Sequence, residues 1–211
     1  MRKAVTCLFL VVALLVFVGG AHAALTAFTD RAAFTAQGVI AENYGFEDFT
    51  GSSFYFPSNP WTAHGVTYST TENLIIGPTS GDGYATNVFL NDYYTPLPGT
   101  INGNYTMFGF DLGVVGGRSL LDLSITTNVG TYTFNGLVVP NANPMDFHGF
   151  VAGAGEYFSS FNLSSENGVK YAPALDNVTL GTAGAVPIPG AVYLLGSGLL
   201  GLGGWRRFRK N

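Results

Sequence analysis

The chain has 211 residues, and only 10% of them are charged, nine Lys and Arg against 13 Asp and Glu. Six of the nine bases lie at the two ends, so the middle holds three bases, Arg31, Arg118 and Lys170, against all 13 acids, a formal charge of −10. That sign repels nucleic acid and attracts cations, and the length allows one domain with tails.

Residues 1–23 read MRKAVTCLFLVVALLVFVGGAHA. A basic start, a short apolar run and the small residues Ala21 and Ala23 around a cleavage point form a secretory signal peptide, cut after Ala23. The run is short for a spanning helix, which sets this reading above that of an uncleaved anchor. Cys7, the one cysteine, leaves with it; its early place and its neighbours are wrong for a lipoprotein acceptor. The mature chain then has no disulfide, no thiolate nucleophile and no Cys-ligated zinc.

Residues 24–180 form the expected domain. One helix signal starts at Thr29 or Asp30 and runs through Phe34 to Gln37, with Gly38 as its stop. After it, apolar and polar residues alternate with period two. The runs are 65–70, 105–112 (Phe108, Phe110 and Leu112 on one face), 119–127 (Leu121, Leu123 and Ile125 on one face), 131–134, 147–152, 157–163 and 174–180. Gly81-Asp82-Gly83, Asn102-Gly103, Gly116-Gly117, Asn128-Val129-Gly130, Asn135-Gly136 and Asn143-Pro144 supply turns. Short alternating strands between such turns predict an all-β fold, a β-sandwich of jelly-roll type. The small residues 181–185 read as a linker.

The middle offers little catalytic chemistry. Two histidines remain, His64 and His148, with no H-E-x-x-H, no G-x-S-x-G and no phosphate-binding glycine loop. Glu47, Asp48, Asp111, Asp122 and Asp176 could furnish the two carboxyls of a glycoside hydrolase, but 13 acids always offer pairs. Flat aromatic rings stack on sugars, and Trp61, Tyr93 and Tyr94 lie in loop-like stretches. The other reading of these rings is that they plug the ends of the sandwich. Asp82 belongs to a simple turn rather than a full Ca²⁺ loop.

Phe46-Glu47 reads as part of an early strand and Leu175-Asp176-Asn177-Val178 as part of the last one, and together they resemble the outline of jelly-roll carbohydrate-binding domains. The resemblance implies that the first and last strands are neighbours and hold a structural Ca²⁺ with Glu47 and Asp176 among its ligands. The alternative is two solvated acids at strand ends.

From Val186 to Trp205 the chain carries no charge, about the length that crosses a bilayer as a helix, and Arg206, Arg207, Arg209 and Lys210 follow at once. Bases beside a span stay in the cytoplasm, so the preceding domain lies outside. The order Val186-Pro187-Ile188-Pro189-Gly190-Ala191, then an apolar helix, then Arg206-Arg207, resembles the PEP-CTERM sorting signals, in the variant that reads V-P-L-P-[AG]-A. Ile188 stands where the name-giving Pro-Glu-Pro has Glu. The resemblance implies an exosortase-type sorting protease as partner, transient or lasting anchorage in the inner membrane, and company with extracellular polysaccharide. The plain alternative is a C-terminal membrane anchor. The expectation is an exported surface or matrix protein, non-catalytic, that binds glycan. The competing classes are an extracellular polysaccharide hydrolase and a structural adhesin or fibre subunit.

Overall fold

Apolar side chains at every second position from Phe108 to Val114 leave one face of that strand with nothing to do but bury itself, and a second sheet is the nearest partner of matching shape. In the computed structural model, which describes residues 25–49, 57–71, 74–79, 82–87, 96–115, 119–140, 144–165 and 172–184, two antiparallel sheets pack face to face. The chain lays down β1 (Thr26–Phe28), α1 (Arg31–Thr35), β2 (Gly38–Tyr44), β3 (Trp61–Ala63), β4 (Val66–Tyr68), β5 (Leu74–Thr79) and β6 (Asp82–Asn87). It continues with β7 (Leu97–Ile101), β8 (Met107–Val115), β9 (Ser119–Thr127), β10 (Thr131–Val139), β11 (Asp146–Val151), β12 (Phe158–Ser165) and β13 (Ala172–Ala183). Sheet A has the order β1-β11-β8-β13-β6-β5, with β2 also paired to β13; sheet B has the order β10-β9-β12-β7-β4-β3.

The core is the predicted one. Phe108, Phe110, Leu112 and Val114 of sheet A meet Leu121, Leu123, Ile125, Phe158, Phe161 and Leu163 of sheet B, all buried. Phe108 stacks on Phe161 at 5.1 Å between ring centres, so aromatic packing joins the sheets directly. Each such side chain removed from water contributes about 1.5–3 kcal/mol.

Helix α1 forms where its signal stands. The Asp30 carboxylate accepts a hydrogen bond from the Ala33 amide at 2.6 Å, which satisfies an otherwise orphaned donor. The helix lies on the outer face of sheet A with Phe34 fully buried. Beneath it, a Cβ on Gly149 would stand 2.7 Å from Cδ2 of Phe34, and one on Gly109 would stand 3.1 Å from its Cε1.

Three expectations change. The domain does not end at 180: Gly181, Thr182 and Ala183 continue β13, opposite Ile40, Val39 and Gly38 of β2. Their smallness serves close approach rather than a linker, because a Cβ on Gly181 would lie 2.6 Å from the Val39 carbonyl oxygen. Asn135-Gly136 is not a turn between strands. It lies inside β10 as an irregularity between Phe134 and Leu137, where the Gly136 amide donates to Asp122 at 2.9 Å. Phe46-Glu47 is not strand: β2 ends at Tyr44, Phe46 takes φ 57°, and Glu47 opens a 3-10 turn through Phe49.

Among the described residues no helix is long and apolar enough to cross a membrane. The cleavage residues Ala21 and Ala23, the motif at 186–191, the bases Arg206, Arg207, Arg209 and Lys210, and Tyr93 and Tyr94 lie outside the described residues.

Candidate functional site

The corner where β13 changes neighbours gathers the acids. Along one edge β13 pairs with β6 at Ala174 and Leu175, and with β2 from Val178 onward. Between them Asn177 takes φ 47°, a left-handed conformation that Asn tolerates better than most residues, and the pairing with β8 is interrupted between Asp176 and Thr179. The backbone therefore departs from the ladder here, and side chains fill in. The Asp176 carboxylate accepts from the Asn177 amide at 2.7 Å. Asp111 accepts from Arg31 at 2.6 Å and from the Asn177 side-chain amide at 2.8 Å. Arg31 also reaches the Thr179 hydroxyl at 3.3 Å and lies 4.3 Å from the centre of the Phe147 ring. The Thr179 hydroxyl in turn donates to Asn43 at 3.0 Å.

Glu47 is exposed and stands beside this corner. Asn177 Oδ1 and Glu47 Oε1 lie 3.0 and 3.2 Å from the point a Cβ on Gly45 would occupy. The missing side chain of Gly45 thus leaves a small gap flanked by hard oxygens. Asn177 belongs to this constellation although only Glu47 and Asp176 stand out by charge. Among the described residues no group of three or more His, Cys, Asp or Glu side chains converges as a metal cluster.

Trp61 is not in a loop. It begins β3, is half-buried, and stacks on Tyr68 at 5.7 Å while meeting Phe46 at 6.0 Å and Tyr44 at 6.4 Å. Next to it His64, at the β3–β4 turn with φ 44°, stacks on Tyr44 at 4.1 Å and contacts Glu42 at 3.0 Å. The hairpin of sheet B is so clasped to β2 of sheet A. Burial pushes the Tyr68 hydroxyl far above its ordinary range. His148 faces the sandwich interior beside Phe110, and its buried Nε2 has no hydrogen-bond partner among the described residues. Burial pulls its pKa down, although Asp146 and Asp111 act the other way.

Nothing in the composition singles out the outer face of sheet B, yet it carries the most regular polar pattern of the described residues. Thr62, Thr67, Thr100, Ser160, Thr126 and Thr131 stand opposite one another in succession across β3, β4, β7, β12, β9 and β10. Pro98, Asn162, Ser124 and Thr133 follow in the next row. The first-row residues are exposed or half-exposed. The hydroxyls of Thr62 and Thr67 bond at 2.8 Å, those of Thr126 and Thr131 at 3.0 Å, and Asn102 donates to Thr67 at 2.8 Å.

No family model matches the chain, and no curated protein matches it. Among solved structures, it is similar to a family 29 carbohydrate-binding module from Piromyces equi, at 10% identity over 63% of this chain and 92% of that one, with a TM-score of 0.38. It is also similar to the CBM22-1 xylan-binding domain of Paenibacillus barcinonensis Xyn10C, at 15% identity over 71% of this chain and 97% of that one, again with a TM-score of 0.38. Overlap at this level transfers no ligand and no binding residue to this chain.

Proposed function

We propose that this chain is exported to the cell surface or the surrounding matrix, where it associates with extracellular polysaccharide without catalysing a reaction on it. The observation that carries this reading is the exposed outer face of sheet B, where hydroxyl and amide side chains stand in register across six strands. Such groups exchange hydrogen bonds with sugar hydroxyls, and spread over a sheet they suit an extended polymer better than a small substrate. Three of the five acids that would serve a hydrolase have other partners: Asp111 holds Arg31 and Asn177, Asp122 holds the Gly136 amide, and Asp176 holds the Asn177 amide. Purified protein should be retained by polysaccharide in a pull-down and release no reducing sugar from it. Release of sugar would place it among the hydrolases.

Sorting belongs to the same proposal. The signal peptide directs the domain across the inner membrane, the C-terminal helix holds it there, and an exosortase-type protease acts on the Val186–Pro187–Ile188–Pro189–Gly190–Ala191 motif. The last strand ends at Ala183, so the motif follows the folded domain almost at once. Mass spectrometry of the extracellular form tests this: an intact Trp205 and basic end would rule out cleavage. The first strand, β1, pairs with β11, and it is the second, β2, that lies beside the last strand, β13, and keeps the neighbourhood the jelly-roll outline implies. Ca²⁺ at the corner, held by Glu47, Asp176 and the Asn177 side-chain oxygen, would screen the acidic carboxylates there and fasten the turn after β2 to β13. Oxygen ligation is supported by Glu47 Oε1 and Asn177 Oδ1, which both border the gap at Gly45, with Asp176 next in the chain to Asn177. Ca²⁺ should then raise the melting temperature, and EDTA should lower it.

A further inference from the structure

We infer that the row Thr62–Thr67–Thr100–Ser160–Thr126–Thr131 is a binding track for one extended, uncharged glycan chain that crosses the strands of sheet B rather than running along them. This rests on the glycan-binding reading and adds the ligand's charge class, its direction and the residues that hold it.

The geometry sets the direction. Neighbouring strands lie about 4.7–4.9 Å apart, so six hydroxyls recur at a nearly constant short step across the sheet. Along a single strand, same-face residues recur only every 6.4–6.8 Å or so, and chemistry is not kept: β7 offers Pro98 before Thr100, and β4 is only three residues long. A ligand running along a strand would meet two or three suitable groups; one crossing the strands meets six. The hydroxyls of Thr100 and Ser160, at the centre of the row, have no hydrogen bond among the described residues. They can both donate and accept, as a sugar hydroxyl requires.

Charge sets the class. Among the described residues of this face the one ionised side chain is Asp122, two residues down β9 from Ser124 and occupied by the Gly136 amide. No Lys or Arg stands in either row to meet a uronate, sulfate or phosphate. The acidic middle of the chain repels a polyanion further. Shape then separates a soluble chain from a crystalline surface. Strands twist by about 20–25° from one to the next, so the row coils across the sheet, and a flat crystal face would touch only part of it. A single flexible chain can follow the whole track.

The full chain is tested by affinity electrophoresis against soluble xylan, mannan and dextran as neutral polymers, and alginate and polygalacturonate as anionic ones. The expected result is retardation by at least one neutral polymer and by neither anionic one. The triple variant T67V/T100V/S160A keeps the β-branched shape at both threonines but removes three hydroxyls, and should bind on the order of tenfold more weakly. T67S/T100S, which restores the hydroxyls, should bind as the parent does. S164A lies about 13 Å along β12 from Ser160 and should change nothing. Thermal unfolding of each variant shows that it is folded. Retardation by a neutral polymer that the triple variant keeps would overturn the track while leaving glycan binding in place. Equal losses in S160A and S164A would overturn the crossing direction. Retardation by the anionic polymers alone would overturn the ligand class. No retardation by any polymer would overturn the glycan reading itself.

Discussion

The outer faces of the two sheets start from the same pattern and end differently. Both sheets turn alternate apolar residues inward. On sheet A the outward positions include Gly109 and Gly149, whose missing side chains let α1 lie flat with Phe34 fully buried. The Arg31 guanidinium then ties the helix to Asp111, whose carboxylate also accepts from the Asn177 side-chain amide. On sheet B most outward positions carry Thr, Ser or Asn, with Pro98, Asp122, Leu120 and Val138 among them, and nothing among the described residues covers the first row. One face spends its residues on stability, and the other leaves them to solvent. Position in the sandwich does not distinguish the two; the size and polarity of the outward side chains do.

Substitutions should break that contrast unequally. Phe34→Ala removes the buried ring of α1, which contacts Phe147 at 5.4 Å and Phe28 at 6.1 Å between ring centres. It should lower unfolding stability by about 3–5 kcal/mol in urea or thermal denaturation. Gly149→Val drives a side chain against Phe34 and Phe147, which stand 2.7 and 2.8 Å from its first carbon, and overpacking of this kind costs about 1–3 kcal/mol. A wild-type melting curve for that variant would show that α1 does not depend on the glycine bed.

Asp111→Asn should come next, at about 1–2 kcal/mol, because it removes the charge that two donors share while both remain partly solvated. The same variant should leave glycan retardation unchanged, since Asp111 lies on sheet A. Acid sharpens the contrast from inside the sandwich. The folded-state pKa of His148 is lowered by burial, so the unfolded chain takes up a proton first as pH falls below about 6.5. Stability contributed by this group is full above that pH and lost as pH falls toward the folded value. His148→Phe should flatten the decline between those limits, as read from urea midpoints at successive pH values. The smallest stability effect belongs to sheet B: Thr100→Val should stay within about 0.5 kcal/mol of wild type while weakening polysaccharide retention. A large loss of stability there would make the hydroxyl row a structural device.

Several features were legible because they are local. The Asp30 cap is written in neighbouring residues, and a carboxylate three positions before an amide finds it without help from the rest of the fold. Leu121, Leu123 and Ile125 show their common face by period alone, as do Phe108, Phe110 and Leu112. Trp61 misled because a three-residue strand carries too little periodicity to stand out from a Pro-rich loop, and its place is set by pairing with Tyr68. Asn135-Gly136 misled because the turn chemistry is real but β9 continues opposite it, so the irregularity is absorbed within β10. Gly181 misled because a small residue signals either freedom or crowding, and only the proximity of Val39 decides between them.

The chain by itself determined the alternation of the strands, the capped helix and the acidic middle. The first two depend on residues within a few positions of one another, and the third on composition alone. The tertiary structure alone decided that β2 and β6 share an edge of β13, that Asp111, Arg31 and Asn177 meet, and that six hydroxyls from six strands fall into one row. Thr62 and Thr131 lie at opposite edges of the sheet and are far apart in the chain; their alignment depends on the register of five successive pairings. A slip of one residue in any of them would turn that strand's side chains to the other face. Burial of the core holds every register in place, and so the packing of the inner face composes the pattern that the outer face presents.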